Sequence, residues 1–385
     1  MRRLWLLPLI ALLVFLSAFA LASPAQGEID VISSRALVTF PLAVTFNLQA
    51  KGSTEIVDID LKYRVDKLSL IPVTWRVDVD FTPGKTVNAS WTWDMLETGG
   101  LPPGSELEYW WLIEDATGQK IETSSSTLEY DDFRYDWNSL ASAQVTLYWY
   151  QGNQSFSQQL MGAAEDALQR LTSDTGISLE QPVDIYIYAS SEDLRGALVY
   201  PQEWTGGVAF PDYRVIVIGI SPDNLAWGER TVAHELSHLV VHQSIFGPFG
   251  VIPTWLDEGL AVYAEGELSA DFRGRLDEAI SRKQLISVRS LSSSFPTDPT
   301  EARLSYAESF SLVNFLIDNY GKEKMFELLG VFQTGADYDE ALILVYGFDM
   351  DGLDARWRAS LGLLLKPGKL DEVVGCAGYL RTALN

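Results

Sequence analysis

Cysteine and histidine are almost missing from this 385-residue chain, which has one of the first and three of the second. A single thiol, Cys376, cannot close an internal disulfide, so the fold is expected to rest on its apolar core, with or without help from a metal. Basic residues are also scarce, 28 Lys and Arg against 52 Asp and Glu, for a formal net charge of −24. That balance argues against nucleic acid and anionic membrane surfaces as partners. Internal repeats and low-complexity tracts are missing too, which sets repeat architectures aside. What remains is 47% hydrophobic and 12% aromatic, the composition of a folded globular chain long enough for two domains.

Residues 1–22 have a basic tip, Arg2-Arg3, an apolar run from Leu4 to Leu21, and the small-x-small site Ala20-Leu21-Ala22. This is the pattern of a secretory signal peptide. The same run is close to the shortest that spans a bilayer, so an uncleaved membrane anchor is the alternative. Either way the bulk of the chain is expected outside the cytoplasm, secreted or tethered.

From Glu28 to Asp132 apolar residues alternate in aromatic-rich runs, separated by turn signals such as Thr82-Pro83-Gly84 and Pro102-Pro103-Gly104. Half-buried strands at this spacing predict an all-β sandwich of fibronectin or immunoglobulin type over residues 28–135. Trp91, Trp93, Trp110 and Trp111 offer a carbohydrate platform in principle, but alternating tryptophans more often serve packing. The polar stretch Asp131 to Ser142 breaks the alternation and marks a domain boundary.

A second domain is expected over residues 143–365. Strands at 144–150 and 183–188 alternate with a helix at 155–172, and a hairpin at 206–220 turns through Pro211-Asp212-Tyr213. From Ala226 the periodicity is almost wholly helical. A small sheet packed by a helical C-terminal part is an α+β layout.

All three histidines fall in Val232 to His242, V-A-H-E-L-S-H-L-V-V-H. On a helix His234 and His238 lie one turn apart on one face and can share a metal ion, while Glu235 sits beside that face within reach of a water on the metal. Two neutral imidazoles, a carboxylate and one divalent ion are what a metal-assisted hydrolase needs. His242 continues the same face. His234 and His242 are nevertheless about 12 Å apart along the helix, too far for one ion, so His242 is expected to pack or to support the site. Fifteen residues after His238 begins Pro253 to Ala261, P-T-W-L-D-E-G-L-A, a helix start that lets Glu258, twenty residues after His238, face back.

The pair H-E-L-S-H and W-L-D-E-G-L-A-V-Y resembles the gluzincin zinc metallopeptidases, most closely the peptidase MA-like metallohydrolases. The resemblance implies one zinc ion bound by His234, His238 and Glu258, with Glu235 as the base that activates zinc-bound water. It also suggests Tyr306, on a later helix, as hydrogen-bond donor to the oxyanion, whereas Tyr263 lies about 140° round its helix from Glu258. Gly206, Gly207, Val208 and Ala209 fall where such enzymes hold extended peptide on an edge strand. The glutamate with which the aminopeptidase branch holds a free amino terminus is missing from Ala209-Phe210-Pro211, which favours endopeptidase action on a peptide or protein substrate. The alternative is an extracellular binding or adhesion protein whose metal site is structural or vestigial.

Overall fold

The computed structural model describes residues 28–201 and 206–363. The expected leader, residues 1–22, and Cys376 lie outside them. The N-terminal part consists of β1 (Ile29–Thr39), β2 (Ala43–Val65), β3 (Trp75–Asp78), β4 (Gly84–Asp94), the single-turn α1 (Met95–Thr98), β5 (Ser105–Asp115), β6 (Lys120–Glu122) and β7 (Ser126–Tyr130). Strand character follows the predicted alternation: Val44, Phe46, Leu48 and Ala50 point inward along β2, and Leu107, Tyr109, Trp111 and Ile113 along β5.

The expected sandwich is not what these strands form. They make one seven-stranded antiparallel sheet rather than two facing ones. The cause is the length of β2. Its first half pairs with β1 and β4, its second with β3 and β5, across a register shift between Lys51 and Ile56. Gly52 sits at this bend, where a Cβ would come within 2.6 Å of the Thr54 carbonyl oxygen. One strand therefore serves two sets of neighbours, and the sheet curls about its own core. Trp111 is fully buried and Trp93 nearly so, while Trp110 donates to Glu122. These three tryptophans serve packing and pairing, as alternation in a half-buried sheet requires.

A second sheet begins with β8 (Asn138–Ala141), inside the stretch expected to be only a boundary. It continues with β9 (Val145–Trp149), α2 (Gln154–Thr175), β10 (Val183–Tyr188), α3 (Ser191–Arg195), β11 (Gly207–Phe210) and β12 (Val215–Gly219). Asn153, part of a glycosylation-like triplet, caps α2 by accepting from the Phe156 N–H. Strands lie in the order β11-β12-β10-β9-β8, with β9, β10 and β12 parallel and both edge strands antiparallel. The predicted hairpin is therefore present, with β11 on the edge.

The remaining elements of the described residues are helical: α4 (Leu225–Ser244), α5 (Thr254–Ala264), α6 (Ala270–Arg282), α7 (Val288–Leu291), α8 (Pro299–Tyr320), α9 (Lys322–Gln333), α10 (Tyr338–Tyr346) and α11 (Met350–Ser360). Among the described residues no helix is long and apolar enough to cross a membrane. The inner face of α4, with Val232, Leu236, Leu239 and Val240, shares one core with α2, α5 and α8. Gly259 lets α5 and α8 meet, because a Cβ there would lie 2.5 Å from the Ser309 carbonyl oxygen.

The two parts are joined by more than a linker. Asp132 is fully buried, grips Arg134 through both carboxylate oxygens and accepts from the Tyr188 hydroxyl on β10. Arg214 pairs with Asp66 across the same junction. Within the polar run that breaks the strand pattern, Asp132 is thus a buried hub, its charge used for pairing instead of hydration.

One buried carboxyl on α8 bears on pH stability. Glu308 is fully buried, with both oxygens accepting from the Ile286 N–H at 3.0 and 3.2 Å. Burial pushes its pKa from 4.5 up to about 8, against the opposing effects of that hydrogen bond and of Arg358. The folded state then holds a proton that the unfolded chain has released between these values. Stability is full below about pH 4.5 and declines as pH rises towards 8, by up to about 1.4 kcal/mol per pH unit from this group. Glu308→Gln should remove this component, so that denaturant titrations at pH 5 and pH 8 differ less in the variant than in the parent. Equal pH slopes in the two proteins would refute the assignment.

Candidate metal centre

Helices α4 and α5 bring three of the sequence-selected residues together. His234 Nε2 lies 3.4 Å from Glu258 Oε2, and His238 Nε2 lies 3.7 Å from the same oxygen. One ligand atom from each of the three residues falls within 4.8 Å of the others. A tetrahedral ion with ligands at about 2.0–2.1 Å keeps its donor atoms about 3.3–3.4 Å apart, so the observed edges are close to those of a zinc-sized site.

The outer hydrogen bonds decide what these atoms offer. His234 Nδ1 is 2.9 Å from Glu265 Oε1, and His238 Nδ1 is 3.1 Å from Asp257 Oδ1. A neutral imidazole that donates from Nδ1 presents a lone pair at Nε2. Two such lone pairs then face Glu258 Oε2, a buried oxygen with no hydrogen-bond partner. Acceptors converging without a donor are unfavourable unless a proton or cation lies among them. Four carboxylates, Glu235, Asp257, Glu258 and Glu265, surround the two imidazoles, and Arg230 pairs with Glu265. The donor set and its charge therefore fit a divalent cation.

Without an ion, protons take that place. Burial pulls the His238 imidazole down, but Asp257 and Glu258 outweigh it and raise its pKa to about 9. His234 likewise ends well above its usual range, because Glu258, Glu265 and Glu235 more than offset its burial. Binding of a metal must displace these protons.

Glu235 projects beside the pair towards β11. Burial raises its carboxyl above the ordinary range, against His234, His238 and the Ala209 N–H, which favour the anion. Gly207 lies directly over this carboxylate, where a Cβ would approach Glu235 Oε1 to 2.8 Å. Gly206 similarly faces Trp227, with a Cβ at 2.9 Å from the indole. The glycine pair thus has a steric reason to be there. Together with Trp227, Phe272 and Tyr306 these residues line a cleft of about 780 Å³.

Tyr306 stands across the cleft, its ring centroid 6.1 Å from that of His234. Burial, reinforced by Glu258, Glu235 and Glu265, raises the phenol and keeps it protonated, a hydrogen-bond donor. Tyr263 turns away and donates to Asp174. His242 is also outside the ligand triangle: its Nε2 is 3.3 Å from Asp257 Oδ2, so Asp257 bridges it to His238.

Three supporting residues escaped the sequence reading. Asp257 was in view as part of W-L-D-E-G, but its use depends on the approach of two helices. Glu265 lies seven residues after Glu258, and Arg230 four before His234. Each is therefore on its ligand's helix face, a spacing that could have marked it.

A profile of the Peptidase MA superfamily matches residues 163–362. This is just over half of the chain, and the protein belongs to that superfamily. No curated protein matches it. Among solved structures, an aminopeptidase N family protein from Idiomarina loihiensis is similar at 10% identity, covering 91% of this chain and 78% of that one, with a TM-score of 0.41. OgpA from Akkermansia muciniphila, solved inactive with an O-glycopeptide, matches at 13% identity and TM-score 0.22, over 28% of this chain and 30% of its own. BhCBM56, solved as a bromine derivative, matches at 14% identity and TM-score 0.19, over 25% and 88%. The chain thus spans less than a third of OgpA, and at these scores none of the three bears on function.

If Asp257 and Glu265 orient the imidazoles, Asp257→Asn and Glu265→Gln should each weaken zinc binding roughly 10–100-fold in a competition titration against a chelating dye. His242→Ala should change it far less. Unaltered affinity in both carboxylate variants would exclude the orienting role.

Proposed function

We propose that this protein is a zinc-dependent endopeptidase acting outside the cytoplasm. The observation that carries the reading is the convergence of His234 Nε2, His238 Nε2 and the buried Glu258 Oε2 beside the Glu235 carboxylate. Membership of the Peptidase MA superfamily supports peptide-bond hydrolysis, and the leader-like residues 1–22 support export.

A zinc ion held by His234, His238 and Glu258 would supply Lewis acidity towards water and towards the scissile carbonyl. Glu235 takes a proton from the attacking water as the new C–O bond forms, then delivers it to the amide nitrogen as the C–N bond breaks. The protonated phenol of Tyr306 donates a hydrogen bond to the oxyanion that develops between these steps. Backbone groups of β11 hold the substrate in extended form, with Gly207 permitting the approach to Glu235.

Action within a chain, rather than at its end, is supported by space on both sides of Tyr306. Beyond the main cleft, Tyr306 and Glu258 also border a cavity of about 500 Å³ lined by Phe295 and Arg303. The Gly207–Phe210 strand carries no acidic side chain to hold a free amino terminus.

Glu235→Gln should retain one zinc per chain while kcat on a peptide library or casein falls roughly 10²–10⁴-fold. Tyr306→Phe should lower kcat roughly 10²–10³-fold with KM little changed. Zinc-loaded parent protein without measurable hydrolysis would instead favour a structural or vestigial metal site.

A further inference from the structure

The edge strand β11 has two faces and, among the described residues, one edge that no strand covers, where the Ala209 N–H meets Glu235. Gly206 O accepts from the Gly219 N–H, and the antiparallel register pairs Val208 with Val217 and Phe210 with Val215. Because inward and outward hydrogen bonding alternate along such a strand, Val208 and Phe210 direct their backbone groups at β12, and Gly207 and Ala209 direct theirs outward. Side chains alternate as well. Gly207 lies over Glu235, whereas Val208 and Phe210 pack on the opposite sheet face with Tyr186, Leu194 and Ala197.

On that opposite face is a second cavity, of about 250 Å³. Its walls come from both halves of the protein: Gly100 and Leu101 from the β-sheet part, Leu198 and Val199 from the segment after α3, and Val208 and Phe210 from β11. Among the described residues no charged one lines it. Val208 borders this cavity and the catalytic cleft alike. Gly100 has φ +81°, and a Cβ there would meet Val199 Cγ2 at 2.8 Å, so the two walls touch only because the residue is glycine. Tyr200 holds φ +59°, uncommon for a side chain of its size, and reaches across the junction to donate to the Leu96 carbonyl at 2.8 Å.

We propose that this junction cavity is a specificity pocket that receives one apolar side chain of an extended peptide paired with β11. The inference rests on the reading of the cleft as a peptide site. A peptide added to that edge places alternate side chains on the two sheet faces. Those on the Gly207 face meet Glu235 and the histidines. A neighbour of opposite orientation meets the Val208 face, where the cavity lies. An apolar cavity of about 150 Å³ holds a benzene ring, so this one suits a side chain of leucine, methionine or phenylalanine size. In this arrangement the β-sheet part is one wall of the substrate site.

The test uses the full zinc-loaded chain carrying Glu235→Gln, with hydrogen exchange followed by mass spectrometry. An eight-residue peptide with leucine at alternate positions should slow exchange in 207–210 and also in 97–101 and 197–200. The same peptide with aspartate in place of leucine should not protect 97–101. In Val199→Phe, which fills the cavity, protection at 97–101 should vanish and affinity for the leucine peptide should fall about tenfold or more. In Val199→Ala, which enlarges it, preference should move from leucine towards phenylalanine. Protection of 207–210 alone, or equal affinity in the parent and in both folded Val199 variants, would overturn the pocket and leave the peptide reading standing. Protection of neither segment would overturn both.

Discussion

Three lone pairs aimed at one point are the constraint on which the rest of this structure depends. His234 Nε2, His238 Nε2 and Glu258 Oε2 can lie this close only with a proton or a cation between them, and the fold fixes them at 3.4 and 3.7 Å. Such an arrangement persists only if the surrounding structure is stable enough to impose it. Here the apolar faces of α4 and α5 supply that stability. Trp255, Leu256 and Leu260 bury fully against Leu236, Leu239 and Val240, and this places Glu258 opposite the histidines. Gly259, the next residue, allows α8 to close on the other side of α5. The close approach that holds Glu258 in place therefore also brings Tyr306 towards His234.

Charge around the site is organised in layers. The innermost atoms are acceptors, and the next layer consists of carboxylates that take the imidazole protons, Glu265 for His234 and Asp257 for His238. Outside these, Arg230 compensates Glu265 and His242 faces Asp257. Each added anion favours a cation at the centre more strongly than the ligands alone would, because charges this close are poorly screened by solvent. A chain with 52 acidic and 28 basic residues is not short of anions to spend in this way. The ordering of them by two helices makes a site.

Much of this was legible in the residue pattern, and the remainder was hidden for definable reasons. His234, Glu235 and His238 follow from helical spacing, which is local. Glu258 required the W-L-D-E-G resemblance, since nothing local says which helix faces α4. Asp257 and Glu265 meet the histidines across helices, 19 and 31 residues away in sequence, and spacing within one helix marks only their faces. The β-rich character of residues 28–130 was visible in the alternation, but its arrangement was not. A 23-residue strand that changes partners at Gly52 has the same alternation as two strands of a sandwich. The hub at Asp132 was similarly concealed, because a polar run has the same sequence signature whether it is hydrated or internally paired.

The place of His242 is set by helix geometry. It lies on the face of α4 that carries His234 and His238, and a third imidazole there has the residue type of a further metal ligand. Four further residues along a straight helix nevertheless add about 6 Å of rise, which places it beyond one ion's reach from His234. The structure puts it 3.3 Å from the oxygen of Asp257 that His238 does not use. A carboxylate shared between two imidazoles loses freedom to rotate, and the imidazole of His238 is fixed with it. The third histidine thus belongs to the centre through Asp257, and the single-face pattern that suggested a ligand instead reflects the line along which α5 crosses α4.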